Sequence, residues 1–390
     1  VILLFLGGVA VWPQPASGLG VRIPNQDASA IARGNAFVAT ADNPSALYYN
    51  PAGITQLEGH HFQAGSLLYL GIYSDHVSPG GLRTQNEHDV IAAPQLHYTF
   101  TPKNSQFSFG LGVFAPFGLG MEWPDKAPFA PYGLEGRLNY ATLTPVVAWK
   151  PLNSLSIAVG PTLNYSDAKL RQSIPAVPRG EFVFRGDDLA YGFTAGVLYQ
   201  PCEKVSLGAS YLSATTQDYE GKASTSPSPP LPSSSRTSAR LDFPQIIRGG
   251  ISYRPTPNWN FELDVDWTDW ETVDNLTIKG VSTIPLNWHS SFFYEAGVTR
   301  YLKSGYYVSA GYFFSEASTS ERNYTPIVPD TDLHVGSLGV GHKGKTWDWA
   351  LAGQIIAGPY RNVNDAAAPP VRGKYRIITP TLSLSVGYHF

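Results

Sequence analysis

The chain carries one cysteine, Cys202, so an internal disulfide framework is excluded, and the thiol reads as unused. Charge is scarce. Only 15% of residues are Asp, Glu, Lys or Arg, with a net charge of −3, so there is no basic footprint for nucleic acid. Beyond residue 18 no long uncharged apolar run occurs, which excludes a transmembrane helix. What is abundant is glycine (38 residues) and aromatic side chain (22 Tyr, 19 Phe, 9 Trp). High Gly and Tyr with few charges is unusual for a soluble α/β enzyme and suits many half-exposed strands with aromatic belts.

The apolar run at residues 1–12 is too short to span a bilayer as a helix. It fits the hydrophobic region of a secretory signal, with Ala16 and Gly18 as small residues at a cleavage site. The Met and basic region that usually open such a signal are missing. Residues 1–18 are therefore expected to be a signal peptide cut short at its N-terminus, and the remainder an exported protein.

From about His61 to Phe390, runs of roughly ten residues with period-2 patterning alternate with breaks. Short breaks lie at 101–105, 151–154, 201–204, 255–258, 302–305 and 343–346. Long polar ones lie near 74–88, 118–136, 170–187, 219–240, 271–289, 316–331 and 358–374. Six tight turns and seven long loops predict fourteen antiparallel strands, the layout of an outer-membrane barrel. The fold class expected is an all-β transmembrane barrel over residues 59–390.

The alternation has the sense that a barrel needs. Trp259, Phe261, Leu263, Val265 and Trp267 share one face, opposite Asn260, Glu262, Asp264 and Asp266. Lipid on the first face requires closed strand pairing, because no water is there to satisfy the backbone. Arg248 and Arg254 fall on the polar face of the preceding strand and are expected to pair with the next strand's carboxylates. Aromatics beside the short turns, among them Tyr98, Trp149, Tyr199, Tyr253, Tyr306 and Trp347, predict an interfacial girdle.

Residues 19–58 do not follow this pattern. Residues 28–41 are Ala-rich and read as helical, and the Asp42-Asn43-Pro44-Ser45 run places a cap before Pro44 at a first helical position. Such a segment is too short for a second globular domain but the right size for a plug in a barrel lumen.

Several stretches resemble the FadL family of outer-membrane transporters for long-chain fatty acids and aromatic hydrocarbons. They are residues 41–54 with Asn50, Pro51 and Ala52, the Gly112-Val-Phe-Ala-Pro-Phe-Gly118 stretch, residues 250–270, 293–298 and 326–339. The resemblance implies a fourteen-stranded barrel plugged by an N-terminal hatch, in the outer membrane of a Gram-negative bacterium. It implies capture of a hydrophobic small molecule at extracellular loops, passage through the lumen and exit through the wall. It implies no cofactor and no enzymatic activity. The terminal Phe390 resembles the signal read by the barrel-assembly machinery. Lipid and lipopolysaccharide are expected partners of a monomer.

Pro116 has no N–H to give a ladder and its flanking glycines permit a kink, so Phe114, Pro116, Phe117 and Gly118 are expected to form a lateral gate. By alternation Pro116 points inward with Phe114 and Gly118. Phe37, Tyr48 and Tyr49 are candidates to line the path. Met121, Trp123 and Phe129, in a loop more apolar than solvation requires, are candidates for first contact with ligand or for packing of the loop on itself. The substrate is not legible. A fatty acid needs a cation for its carboxylate, for which Arg137, Arg248 and Arg254 are candidates, whereas an aromatic hydrocarbon needs only an apolar pocket.

Other signals point nowhere. Residues 339–346 match a phosphate-binding loop letter for letter, but the following Trp347-Asp-Trp-Ala is strand-like where a helix is needed. The glycines of residues 110–115 mimic a dinucleotide fingerprint, but Pro116 blocks the required helix. His60-His61 lacks a third ligand for a metal. Ser337 and His334 fall on opposite strand faces, which rules out a nucleophile–base pair. The alternative from another functional class is an adhesin or structural anchor working through its long loops, which would need neither plug nor kink.

Overall fold

A computed structural model describes residues 20–87, 90–175, 177–227 and 234–390, so the expected signal peptide lies outside the described residues. Fourteen strands form the wall in chain order, with short additional strands in the long connections: β1 (Gly59–Tyr69), β2 (Ile91–Thr101), β3 (Phe107–Phe114, resuming as Leu119–Glu122), β4 (Glu135–Leu152), β5 (Leu155–Ile174), β6 (Gly180–Cys202), β7 (Val205–Leu212, resuming as Thr215–Ser226), β8 (Ser234–Phe243, resuming as Ile246–Thr256), β9 (Trp259–Thr268), β10 (Ser291–Tyr301), β11 (Tyr306–Ser315), β12 (Leu333–Lys343), β13 (Trp347–Ala357) and β14 (Gly373–His389). Each pairs antiparallel with its neighbour. β1 closes the barrel against β14 from His61↔His389 to Tyr69↔Thr381, so every wall strand finds partners on both sides.

The register turns the expected greasy stripe outward. On β9, Leu263 is 62% exposed while Glu262 is 1% exposed and faces in. The aromatics beside the short turns also face outward, with Tyr98, Trp149, Tyr199, Tyr253, Tyr306 and Trp347 all exposed. This is the girdle position, where an amphipathic ring gains from both phases. Residues 339–346 form the end of β12 and a tight turn into β13, as a barrel hairpin requires.

Two expected loops are mostly strand. Residues 170–174 and 180–187, and 219–226 and 234–240, continue the ladders of β5–β6 and β7–β8 well beyond the apolar band, with pairs such as Arg171↔Val183 and Lys222↔Arg236. Their polarity marks strand above the membrane rather than loop, because cross-strand pairing is indifferent to outward polarity once water replaces lipid.

The Ala-rich stretch 28–41 was expected to be helical, but only Ala28–Ile31 is helix. Gly34 takes φ +66 and lies against the backbone of Tyr312, which ends the helix after one turn. The second helix, Ala46–Tyr49, starts two residues beyond Pro44. Its cap is Ser45, whose N–H donates to Asn43 Oδ1 at 2.9 Å. A 3-10 helix, Pro51–Gln56, leads to β1. Residues 20–57 are almost all buried, against the inward-facing side chains of the wall.

Candidate functional site

Three parts of the interior are in contact: the N-terminal segment, the break in β3, and an apolar cavity towards the long loops. The inner face of β9 holds the segment by charge. Phe37 and Val38 N–H groups donate to Asp264 Oδ2 at 2.7 and 2.8 Å, and Ala39 and Thr40 N–H groups donate to Glu262 Oε1 at 2.7 and 3.0 Å. Arg33 pairs with Glu262 at 3.0 Å. Arg22 pairs with Asp266, donates to Thr268 Oγ1 at 2.9 Å and lies 4.3 Å over the Phe293 ring. Arg248 lies 3.5 Å from Asp266 and 4.4 Å over the Tyr48 ring. The expected pairing of Arg248 with the next strand therefore occurs. Arg254 instead reaches Asp42 of the segment, at 3.5 Å, beside Lys343 at 2.9 Å. Burial opposes the Asp42 charge, but Lys343 and Arg254 overcome it and hold the carboxyl down to about 2.

Close approach is the other half of this fit. A Cβ on Gly208 would run into Val38 O, and one on Gly311 into the Arg33–Gly34 backbone. Asn50 caps Ala52 N at 3.2 Å and donates to the carbonyls of Val38 and of Val197 on β6, both at 2.9 Å. The turn-forming and wall-bridging roles of the Asn50-Pro51-Ala52 motif thus coexist. Pro51 opens the 3-10 helix, and Ala52 is fully buried.

β3 leaves its neighbour after Val113. The β2–β3 ladder covers only Leu96↔Val113 to Phe100↔Phe109, with an isolated bridge Glu87↔Glu122 further out. Between them Phe114, Ala115, Pro116, Phe117 and Gly118 all turn inward and are buried, so strict alternation, which placed Phe117 outward, fails here. The N-terminal segment supplies the missing backbone partners. Ile23 N–H donates to Pro116 O at 2.8 Å, Gly118 N–H to Val21 O at 2.7 Å, and Gln26 Nε2 to Ala115 O at 2.7 Å. Pro94 on the facing stretch of β2 removes one further donor, a signal that the sequence reading passed over.

The apolar cavity, of about 110 Å³, lies on the loop side of the break. Its lining includes Val21, Leu119, Leu138, Phe243, Trp270 and Trp288. Phe117 packs 5.1 Å from the Phe243 ring and 6.2 Å from Trp270, so one residue of the break touches the cavity wall. Phe114 faces the other way, 5.1 Å from Tyr48, whose ring abuts Tyr49, itself 5.4 Å from Phe37. The sequence candidates therefore fall into two groups around the break. Phe37, Tyr48 and Tyr49 form the aromatic cluster inside the N-terminal segment. Met121, Trp123 and Phe129 are buried where the loop packs over the barrel end. There Trp123 Nε1 donates to Pro326 O at 2.8 Å and its ring meets Phe129 at 5.0 Å. From the same loop, Leu119 and Tyr132 reach the cavity lining. Trp270, Trp288 and Phe243 were not singled out, because their meeting depends on the β9–β10 connection folding inward over the end of a section of β8. Arg137, the third candidate for a carboxylate ligand, pairs with Glu135 at 2.6 Å and Glu122 at 3.2 Å.

Comparison with known proteins agrees with this geometry. The sequence profile of a family described as outer membrane protein transport protein (OMPP1/FadL/TodX) matches residues 9–352. A long-chain fatty acid transport protein of Escherichia coli is 24% identical over 342 residues, covering 75% of this chain and 76% of that one. Among solved structures, a Pseudomonas aeruginosa FadL homologue superposes with a TM-score of 0.84 at 18% identity, over 95% of this chain and all of that one. The Pseudomonas putida toluene transporter TodX superposes with a TM-score of 0.72 at 17% identity, over 96% of this chain and 99% of that one. At such identities the solved structures speak for the fold alone.

Proposed function

This chain belongs to the OMPP1/FadL/TodX family of outer membrane transport proteins, and from that premise we propose that it carries hydrophobic small molecules inward by capture at its long loops, passage through the apolar cavity and sideways exit at the break in β3. It is an outer-membrane β-barrel of a Gram-negative bacterium. Related proteins are named for the transport of long-chain fatty acids and of toluene, and compounds of this class are the proposed cargo here. The chain's part in transport is binding and passage, with no catalytic step.

One observation carries the reading: the opening in the β2–β3 ladder is lined on its inner side by Phe117, which also packs on the cavity wall. Sideways exit has a physical reason. A solute that stays against apolar surface keeps about 25 cal/mol per Å² that it would forfeit in the aqueous periplasm. Residues 19–58 act as the hatch, and the segment 21–26 acts as a removable strand. When bound to β3 it seals the break, and when displaced it opens a path past Phe114, Pro116, Phe117 and Gly118. Phe37, Tyr48 and Tyr49 form the floor of that path. Met121, Trp123 and Phe129 hold the loop that shapes the outer mouth. Arg137, Arg248 and Arg254 are each engaged by protein carboxylates, so the apolar body of the solute does the selecting.

The test is uptake of labelled oleate and labelled toluene by cells carrying the parent or an Ala115→Leu/Gly118→Val variant, which fills the break. Uptake of whichever compound the parent imports should fall about tenfold or more, with the folded barrel still present by heat-dependent gel mobility. Equal uptake by the two proteins rejects exit through β3.

A further inference from the structure

The outward face of the barrel carries a charged groove that transport does not use. Cross-strand register sets Arg137 beside Lys169, Lys169 beside Arg185, Arg185 beside Lys222 and Lys222 beside Arg236. Five cations therefore stand in one row, one per strand from β4 to β8, at a strand spacing of about 4.8 Å. Like charges directly opposite destabilise a sheet. The first two are compensated by Glu135, which takes Arg137 Nε at 2.6 Å and Lys169 Nζ at 2.7 Å. Arg185, Lys222 and Arg236 form no ion pair within 4.0 Å among the described residues.

Two further features surround this row. One step nearer the membrane, Asp167, Asp187 and Glu220 form a parallel row of carboxylates. Nearer still, the same face of β6 becomes apolar, with Leu189, Tyr191 and Phe193 exposed by 45%, 70% and 47%. A groove of about 780 Å³ is lined by Arg185 and Lys222 of the cationic row and by all three carboxylates, and Arg236, opposite Lys222, continues the row at its edge. Reading away from the membrane, the surface is apolar, then acceptor-rich, then cationic, and it lies at the end of the barrel that bears the long loops, the outer side.

We propose that this groove is a binding site for the headgroup of a phosphorylated glycolipid of the outer leaflet. Its phosphate sits on Arg185, Lys222 and Arg236, its sugar hydroxyls donate to Asp167, Asp187 and Glu220, and its acyl chains lie along Leu189, Tyr191 and Phe193. Phosphate is the natural counter-ion for a row containing two guanidinium groups, which bind it through paired N–H donors. The carboxylate row selects the class. A simple phospholipid, with its phosphate directly at the acyl border, meets the acids first, whereas a sugar offers them hydroxyl donors. The inference rests on the outer-membrane placement and is independent of the route through β3.

The experiment uses the full chain in detergent, as the parent and as Arg185→Gln/Lys222→Gln/Arg236→Gln. Binding is followed by native mass spectrometry with a diphosphorylated acyl-glucosamine disaccharide, its dephosphorylated form, and phosphatidylglycerol. The parent should bind the first, and lose affinity about tenfold on removal of its phosphates. The triple variant should show the same loss. Asp187→Asn/Glu220→Asn should weaken binding by a smaller factor, and Arg185→Lys/Arg236→Lys, which keeps the charge but loses the paired donors, should fall between the parent and the triple variant. Equal binding of phosphatidylglycerol, or an undiminished affinity of the triple variant, overturns the proposal. Removing unpaired like charges relieves repulsion, so these variants should fold. Membrane fractionation reports separately on the outer-membrane placement.

Discussion

β3 and β9 both hold the N-terminal segment, and they hold it by different physics. β9 presents Glu262, Asp264 and Asp266, all buried, to two arginines and four backbone N–H groups of the segment. The break in β3 offers two main-chain carbonyls and two amides to residues 21–26. Charges withdrawn from water are costly to separate, about 3–5 kcal/mol when one partner is removed. A backbone hydrogen bond contributes about 0.5–1.5 kcal/mol net, because water replaces it on release. The segment is therefore fixed on one wall and releasable on the other, and the releasable side is the one with the opening.

The largest expected effect breaks the fixed side. Asp266→Ala leaves Arg22 and Arg248 buried without their carboxylate and should cost about 3–5 kcal/mol, read as a lower thermal midpoint together with a raised ion conductance in planar bilayers. Next is the steric fit. Gly208→Val or Gly311→Val should displace the segment from β7 or β11 and raise conductance while leaving the barrel's heat-dependent gel mobility intact, because the added atoms strike only the segment. Gln26→Ala probes the releasable side. It removes the paired contacts with Ala115 O and N–H, should cost about 1–2 kcal/mol, and should change solute uptake with little change in conductance. If Gln26→Ala opened the lumen to ions as Asp266→Ala does, the contrast between the two walls would disappear.

The smallest effect is at Asp42. Its carboxyl is held below its ordinary value, so the latch to Lys343 and Arg254 adds stability above about pH 4, and that contribution is lost as pH falls through about 2. The partners are partly exposed, so Asp42→Asn should cost about 1 kcal/mol or less at pH 7. Parent and variant should have converging thermal midpoints near pH 2.

Strand number, turn positions and the outward stripe were legible because each is a local property: period-2 patterning, turn chemistry, and aromatics beside the turns. Pro116 marked the break for the same reason, since a missing donor shows in the letter itself. The destination of the polar stripe was less legible. Asp264 and Asp266 read as a charge ladder between neighbouring strands, and Arg248 does pair so. Yet most acceptors on β9 are taken by residues 22–40, more than 220 positions earlier in the chain, and nothing in a strand's pattern announces a partner so distant. The helix expected over 28–41 failed because Ala-rich composition promotes helix only where tertiary contact permits, and Gly34 against Tyr312 does not. The cavity stayed hidden because it is assembled from the inner faces of β4 to β8 and from loops that fold over them, a meeting set by the whole barrel.

That sequence distance also orders biogenesis. The carboxylates for Arg22 and Arg33 lie on β9, so these two buried charges of the N-terminal segment stay unpaired until more than half of the wall exists, whatever backbone contacts β3 has already offered. β1 meets β14 only after the last strand is in place. The final seam thus closes a wall whose inner face already carries every carboxylate that Arg22 and Arg33 use.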